Sequence, residues 1–137
     1  SYAIAEGLRN RTYLLGRVAR ERMPSVLSSA DIYLSCSDRE GFSVALLEAM
    51  ACGLPAVTTD FGGAREVIHD GVNGFVSESS SPQKVADLCE AILRLDNQQL
   101  AGSSIAVAHR YSAAFIVQRI LTVLAAASGE GSLRGAA

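Results

Sequence analysis

The chain has 137 residues, 49% of them hydrophobic and 19% charged, with a formal net charge of −2. That length suits one domain and buries roughly two-thirds of the unfolded surface, enough for a core. The mild acidity excludes the basic footprint of a nucleic-acid or anionic-membrane binder, and no apolar run of about 18 residues marks a spanning helix.

In chain order, TYLLGRV at 12–18 predicts a strand ending near Gly16. Pro24 opens a short helix over 24–30 with Val26 and Leu27 on its apolar side. DIYLSCS at 31–37 predicts a second strand, followed by the polar run SDREG and a helix from about Ser43 to Ala51. Gly53 stands where a C-terminal glycine belongs, and Pro55 prevents continuation. LPAVTTD at 54–60 predicts a third strand, FGGAREV a Gly-rich loop running into a helical turn, DGVNG a turn and GFV at 74–76 a fourth strand.

From Pro82 the pattern becomes helical, with apolar residues at 85, 88, 89, 92, 93 and 95 and Ser81 as N-cap. Two further helices are expected over 97–109 and 112–127, the last capped by Ser112, and the tail 128–137 has the composition of a disordered end. Alternating strands and helices over 12–95 imply a parallel α/β sheet with ligands beyond the carboxyl ends of its strands. Cys36, Cys52 and Cys89 read as small buried side chains in a reducing compartment.

One stretch, EGFSVALLEAMACGLPAV at 40–57, poses a physical question. The helix it predicts is apolar on every side except for Glu48, which suggests burial on most sides. A buried carboxylate without a partner costs several kcal/mol, so Glu48 needs an arginine, backbone amides or a ligand's hydroxyl groups. A ribose diol suits a carboxylate, because two hydroxyls donate to its two oxygens. Glu40 stands in the preceding loop. Between the two carboxylates, Phe42, Ser43, Val44 and Ala45 carry the free amides of a helix N-terminus, a natural cradle for a diphosphate. Gly41 allows close approach of a ligand.

With those residues in hand, DREGFSVALLEAMACGLPAVTTDFGGAREVIHDGVNGFV resembles the donor-binding segment of glycosyltransferase family 4, retaining enzymes of GT-B fold. Glu40 and Glu48 match the family's E-x7-E motif, with Gly41, Phe42, Leu47, Ala49, Gly53 and Pro55 in their usual places. Upstream, YLLGRV and MPSVLSSADIYLSCS fit; downstream, Gly62, Gly63, Glu66, Asp70, Gly71, Asn73 and Gly74 fit, so the resemblance covers roughly residues 5 to 95.

The resemblance implies that Glu40 serves catalysis by contacting donor-sugar hydroxyls, and that Glu48 takes the ribose. It places the amides of Phe42–Ala45 on the sugar and distal phosphate, the backbone of Gly16, Arg17 and Val18 near the nucleobase, and Met23 and Pro24 close to the nucleotide. Ser37 and Ser43 are candidate hydrogen-bonders, Ser43 equally a helix cap; Gly62 and Gly63 are either turn glycines or amide donors facing the donor sugar or acceptor. Structural readings also stand: Glu48 in a salt bridge, Glu40 as a solvated loop charge, Glu66 as partner of the glycine turn, His69 on the surface and His109 at a helix end. The implied reaction moves a sugar from a nucleoside-diphosphate sugar to an acceptor with retention, needing neither metal nor cofactor, in the cytoplasm or at the inner membrane face. Alternatives are a non-catalytic nucleotide-sugar-binding fragment and a GT-B sugar-nucleotide epimerase.

Two parts of the GT-B pattern are unmatched: the acceptor-binding N-terminal domain, and the leading strands of the donor domain with their diphosphate-neutralising Arg and Lys. The expected fold is therefore an incomplete Rossmann-like parallel sheet over 1–127 followed by the tail. In the order 3-2-1-4-5-6, TYLLGRV would be strand 3 and DIYLSCS strand 4, leaving Tyr33 and Leu34 on an unpaired edge. Such an edge invites completion by the rest of a larger enzyme, by strand exchange or by a homodimer.

Overall fold

A computed structural model describes residues 7–127. Three strands, β1 (Tyr33–Ser35), β2 (Ala56–Thr59) and β3 (Gly74–Ser77), form one parallel sheet in the order β1-β2-β3. Tyr33 stands beside Ala56 and Ser35 beside Thr58, while Ala56 pairs with Gly74 and Thr59 with Ser77. Central β2 is buried along its whole length, as expected of a parallel strand covered on both faces. Gly74 is required by this pairing, because a Cβ there would collide with the Ala56 carbonyl.

The helices are α1 (Met23–Leu27), α2 (Val44–Ala51), α3 (Ala64–Val67), α4 (Pro82–Ile92), α5 (Asn97–Arg110) and α6 (Ala113–Ala127). A 3-10 turn, Arg20–Arg22, leads into α1, and another spans Arg9–Arg11. Alternation along β2 divides the core. Ala56 joins Leu46 and Met50 of α2 with Val107 and Ala108 of α5, whereas Val57 joins Val85 and Ile92 of α4 with Leu100.

Helix boundaries follow local chemistry. Gly53 has φ +84° and Leu54 N–H donates to the Ala49 carbonyl at 3.1 Å, closing α2 with a left-handed cap. Asp96 accepts from the amides of Gln98 and Gln99 at 2.8 and 3.0 Å to start α5, and Ser112 accepts from Phe115 N–H at 3.3 Å to start α6. Ser81 occupies the N-cap of α4 but makes no side-chain cap bond.

The expected strand at 12–18 is not formed. Residues 12–15 run outside any sheet, with Tyr13 81%, Leu14 93% and Leu15 62% exposed. A strand needs a neighbour for its ladder, and β1 pairs with β2 alone among the described residues. The expected open edge is therefore present: Leu34 in β1 is 51% exposed. Cys36 is exposed rather than buried, and Cys52 and Cys89 are half-buried; all three are free thiols. Partial burial pushes the Cys89 thiol up from its ordinary value. The expected disordered tail at 128–137 lies outside the described residues. Among the described residues no helix is long and apolar enough to cross a membrane.

Candidate functional site

The carboxyl ends of β1 and β2 open into two loops that pack on each other. The first, residues 36–43, carries Ser37, Glu40, Gly41, Phe42 and Ser43; the second, residues 60–63, carries Gly62 and Gly63. A Cβ on Gly62 would lie 3.1 Å from the Glu40 carbonyl oxygen and 3.3 Å from that of Gly41. Gly63 has φ +83°, and a Cβ there would lie 2.8 Å from Cδ2 of Phe42. Both glycines are thus explained by close packing against the Glu40–Phe42 backbone and ring.

The first loop is tied down at both ends. Thr59 Oγ1 donates to the Ser37 carbonyl at 2.7 Å, and the Ser35 and Ser37 hydroxyls lie 3.3 Å apart. Ser43 is buried at 8% exposure, holds an extended backbone, and accepts from Leu46 N–H at 3.3 Å, so its side chain caps α2. The amides of Val44 and Ala45 have no hydrogen-bond acceptor among the described residues, and Gly41 has open space beside its backbone. These are the unsatisfied N–H groups that favour an anion at a helix N-terminus.

The expectation for Glu48 requires correction. Leu46, Ala49 and Met50 are the buried residues of α2, while Val44, Ala45, Glu48 and Ala51 are exposed. An all-round apolar sequence therefore does not bury α2 on most sides, because neighbours inside this chain cover a single face. Glu48 carries no ion pair among the described residues and is solvated, so the cost of a buried carboxylate does not arise. Glu40 is likewise exposed. The two carboxylates flank the α2 N-terminus along the sequence, one in the loop before it and one on the exposed face of its second turn.

Gly16, Arg17 and Val18 lie in the irregular segment before the Arg20–Arg22 turn, with a bend at Arg17, and Gly16 has φ +63° with nothing within 4 Å of a built Cβ. No hydrogen bond joins them to the Glu40 loop among the described residues. The nearest structural link is α1, which packs against α2; Met23 on α1 is half-buried and Pro24 exposed. The structure therefore gathers Ser37, Glu40–Ala45, Gly62 and Gly63, and joins Gly16–Val18 to them by no hydrogen bond among the described residues.

Neighbouring motif residues are structural. Asn73 is fully buried, accepts from His69 N–H at 2.7 Å and donates to the Val67 carbonyl at 2.9 Å, while Asp70 accepts from Val76 N–H at 2.8 Å. The DGVNG segment is thus a clip that delivers β3 to the sheet. His69 is exposed. His109 is exposed in the last turn of α5, its ring edge-on to Phe115 at 5.8 Å. Arg65, beside the glycine pair, reaches Asp60 at 2.8 Å and Glu78 at 3.9 Å, and the Asp60 hydrogen bond raises its pKa above the ordinary value. Sequence reading missed Tyr111, whose ring lies 5.1 Å from that of Phe42; nothing in a helix-end tyrosine signals a contact so distant along the chain.

Known proteins resemble this chain in sequence and in fold. The chain is 37% identical over 93 residues to N-acetyl-alpha-D-glucosaminyl L-malate synthase of Bacillus anthracis, covering 68% of this chain and 23% of that protein. Among solved structures, Anabaena HepE in complex with UDP-glucose superimposes with a TM-score of 0.73 at 30% identity, covering 90% of this chain and 35% of that one. The C-terminal domain of a glycosyl transferase group 1 family protein, LpcC of Francisella tularensis, gives a TM-score of 0.70 at 27% identity, over 82% of this chain and 60% of that one. The chain spans about a quarter of the length of the curated relatives it matches. Since the family description "Glycosyl transferases group 1" also matches residues 1–105, this chain belongs to that family.

Proposed function

We propose that this chain is the distal part of the donor-binding domain of a glycosyltransferase that moves a sugar from a nucleoside-diphosphate sugar to an acceptor, with retention at the anomeric carbon. The observation that carries the reading is the α2 N-terminus: free amides at Val44 and Ala45, open backbone at Gly41, and two exposed carboxylates, Glu40 and Glu48, before and beyond it. Sugar and ribose hydroxyls donate to carboxylates, and the diphosphate accepts from amides. That a similar structure holds UDP-glucose supports the assignment of the ligand class.

In this reading Glu40 orients the donor sugar at the reacting centre, and Glu48 takes the ribose hydroxyls. The amides of Phe42–Ala45 meet the sugar and distal phosphate, Gly16–Val18 border the nucleobase, and Ser37 shapes the loop. Gly62 and Gly63 serve by letting the second loop approach the first. The diphosphate charge is met by amides and basic side chains without a metal, and the enzyme acts in the cytoplasm or at the inner membrane face.

A second reading is favoured by the bare edge of β1 and the exposed 12–15 segment. The isolated chain holds the donor weakly and catalyses nothing, the missing contacts coming from the rest of the enzyme or from a second chain across that edge. Titration of the isotope-labelled chain with UDP-glucose at millimolar concentration tests both readings. Amide shifts at residues 16–18, 41–46 and 48, without sugar release, are expected. Perturbations that avoid α2 and its preceding loop would defeat the donor-site reading, and transfer to an added acceptor would defeat the inactive-fragment reading.

A further inference from the structure

The loop that carries Glu40 lacks the usual backbone restraint. Among the described residues Glu40, Gly41 and Phe42 take part in no backbone hydrogen bond. Besides the close approach of Gly62 to the Glu40 and Gly41 carbonyls, these residues are held by packing on Phe42. That ring lies against the backbone of Gly63 so closely that a Cβ there would stand 2.8 Å from it. It also meets the ring of Tyr111, with planes tilted by 34° and centroids 5.1 Å apart, within the separation at which aromatic pairs attract.

Tyr111 is itself well fixed. It ends α5, where its N–H donates to the Ala108 carbonyl at 3.0 Å, and its neighbour Ser112 caps α6. Its ring packs against the core cluster that includes Leu46, Met50, Ala64 and Val107. The ring therefore stands on the same core that supports α2, and a side chain anchored there can restrain residues 40–42, the part of the loop without backbone hydrogen bonds.

We propose that Tyr111 is a positioning residue for the Glu40–Ser43 loop: it holds Phe42 against Gly63 and so fixes Glu40 relative to the first amides of α2. The consequence for donor binding rests on the function proposed above; the restraint on the loop does not. The phenol oxygen makes no hydrogen bond among the described residues, so the ring alone carries this role.

NMR of the whole 137-residue chain tests the restraint without any donor. In the native chain, cross-relaxation between Tyr111 and Phe42 ring protons and a ring-current-shifted Gly63 Hα are expected; their absence overturns the proposal before any variant is made. In Tyr111→Leu the Gly63 Hα is expected to return to its unshifted position and Gly41 and Phe42 amides to gain fast motion, while the methyl shifts of Val57 and Val85, in the other core cluster, hold. Tyr111→Phe is expected to keep the native pattern. An unchanged Gly63 Hα in a folded Tyr111→Leu chain overturns the proposal, as does a phenylalanine variant that fails to rescue.

The same pair of variants, placed in the whole enzyme, separates this inference from the function it serves. A several-fold rise in donor KM for leucine, restored by phenylalanine, supports both. A loosened loop with unchanged donor KM supports the positioning of the loop and defeats its assignment as a donor site.

Discussion

Thr59 Oγ1 donates a 2.7 Å hydrogen bond to the Ser37 carbonyl, joining the carboxyl end of β2 to the loop that leads to Glu40. The bond crosses two strands' ends rather than following either strand, so it sets where the first loop leaves the sheet. Thr59→Val keeps the side-chain shape and removes the donor. The half-buried Ser37 carbonyl then loses its partner, and a loss of about 1–3 kcal/mol in unfolding free energy is expected. Urea unfolding of the chain measures it.

Gly63→Ala is expected to strain the site twice. Its φ of +83° disfavours any Cβ, and the new methyl would press on Phe42. Destabilisation of about 1–3 kcal/mol is expected, together with a displaced Phe42 ring visible in its aromatic shifts. Gly41→Ala meets open space and should leave stability within about 1 kcal/mol of native, while weakening donor binding if a ligand passes close to that backbone.

Asn73→Leu removes the side chain that accepts from His69 N–H and donates to the Val67 carbonyl. Asn73 is fully buried; the bond to the Val67 carbonyl is buried and that from His69 N–H is part-buried, so the carbonyl is left without a partner away from water. A loss of about 1–3 kcal/mol is expected from the buried unsatisfied carbonyl, a large share of a marginal domain's stability. Circular dichroism with thermal melting would show a lowered or absent transition; a native-like melt would remove the clip from the account of β3.

Chelation supplies a prediction about chemistry. If backbone amides and basic side chains meet the diphosphate, EDTA should leave the transferase activity of the whole enzyme unchanged. A loss of activity restored by a divalent cation would replace the amide cradle with a metal-held diphosphate.

Much of the fold could be read from local signals. Ser43 at the N-cap, Gly53 past the C-terminus and Pro55 beyond it bracket α2 because caps act within a turn or two of chain. Asp96 caps α5 by the same local chemistry, although the sequence reading did not single it out. The strand expected at 12–18 failed for a non-local reason: TYLLGRV has the composition of a strand, but a strand exists only beside another.

Burial of Glu48 failed similarly. The residues of α2 record an apolar surroundings on all sides, yet only the Leu46–Ala49–Met50 face has neighbours among the described residues. Local sequence reports what environment a residue suits and is silent about which chain supplies it. The glycine pair was legible as a turn, while its partners Glu40, Gly41 and Phe42 were not, since their meeting depends on the packing of two loops.

The central claim is that an exposed carboxylate on α2 receives the hydroxyls of a bound nucleotide sugar. Calorimetric titration of the whole enzyme with UDP-glucose, or with whichever sugar nucleotide it transfers, tests this most directly when native protein is compared with Glu48→Gln. The account predicts donor binding weaker by about tenfold, roughly 1.4 kcal/mol, with Glu40→Ala lowering turnover more than affinity. Equal donor affinity in native and Glu48→Gln enzyme would contradict it.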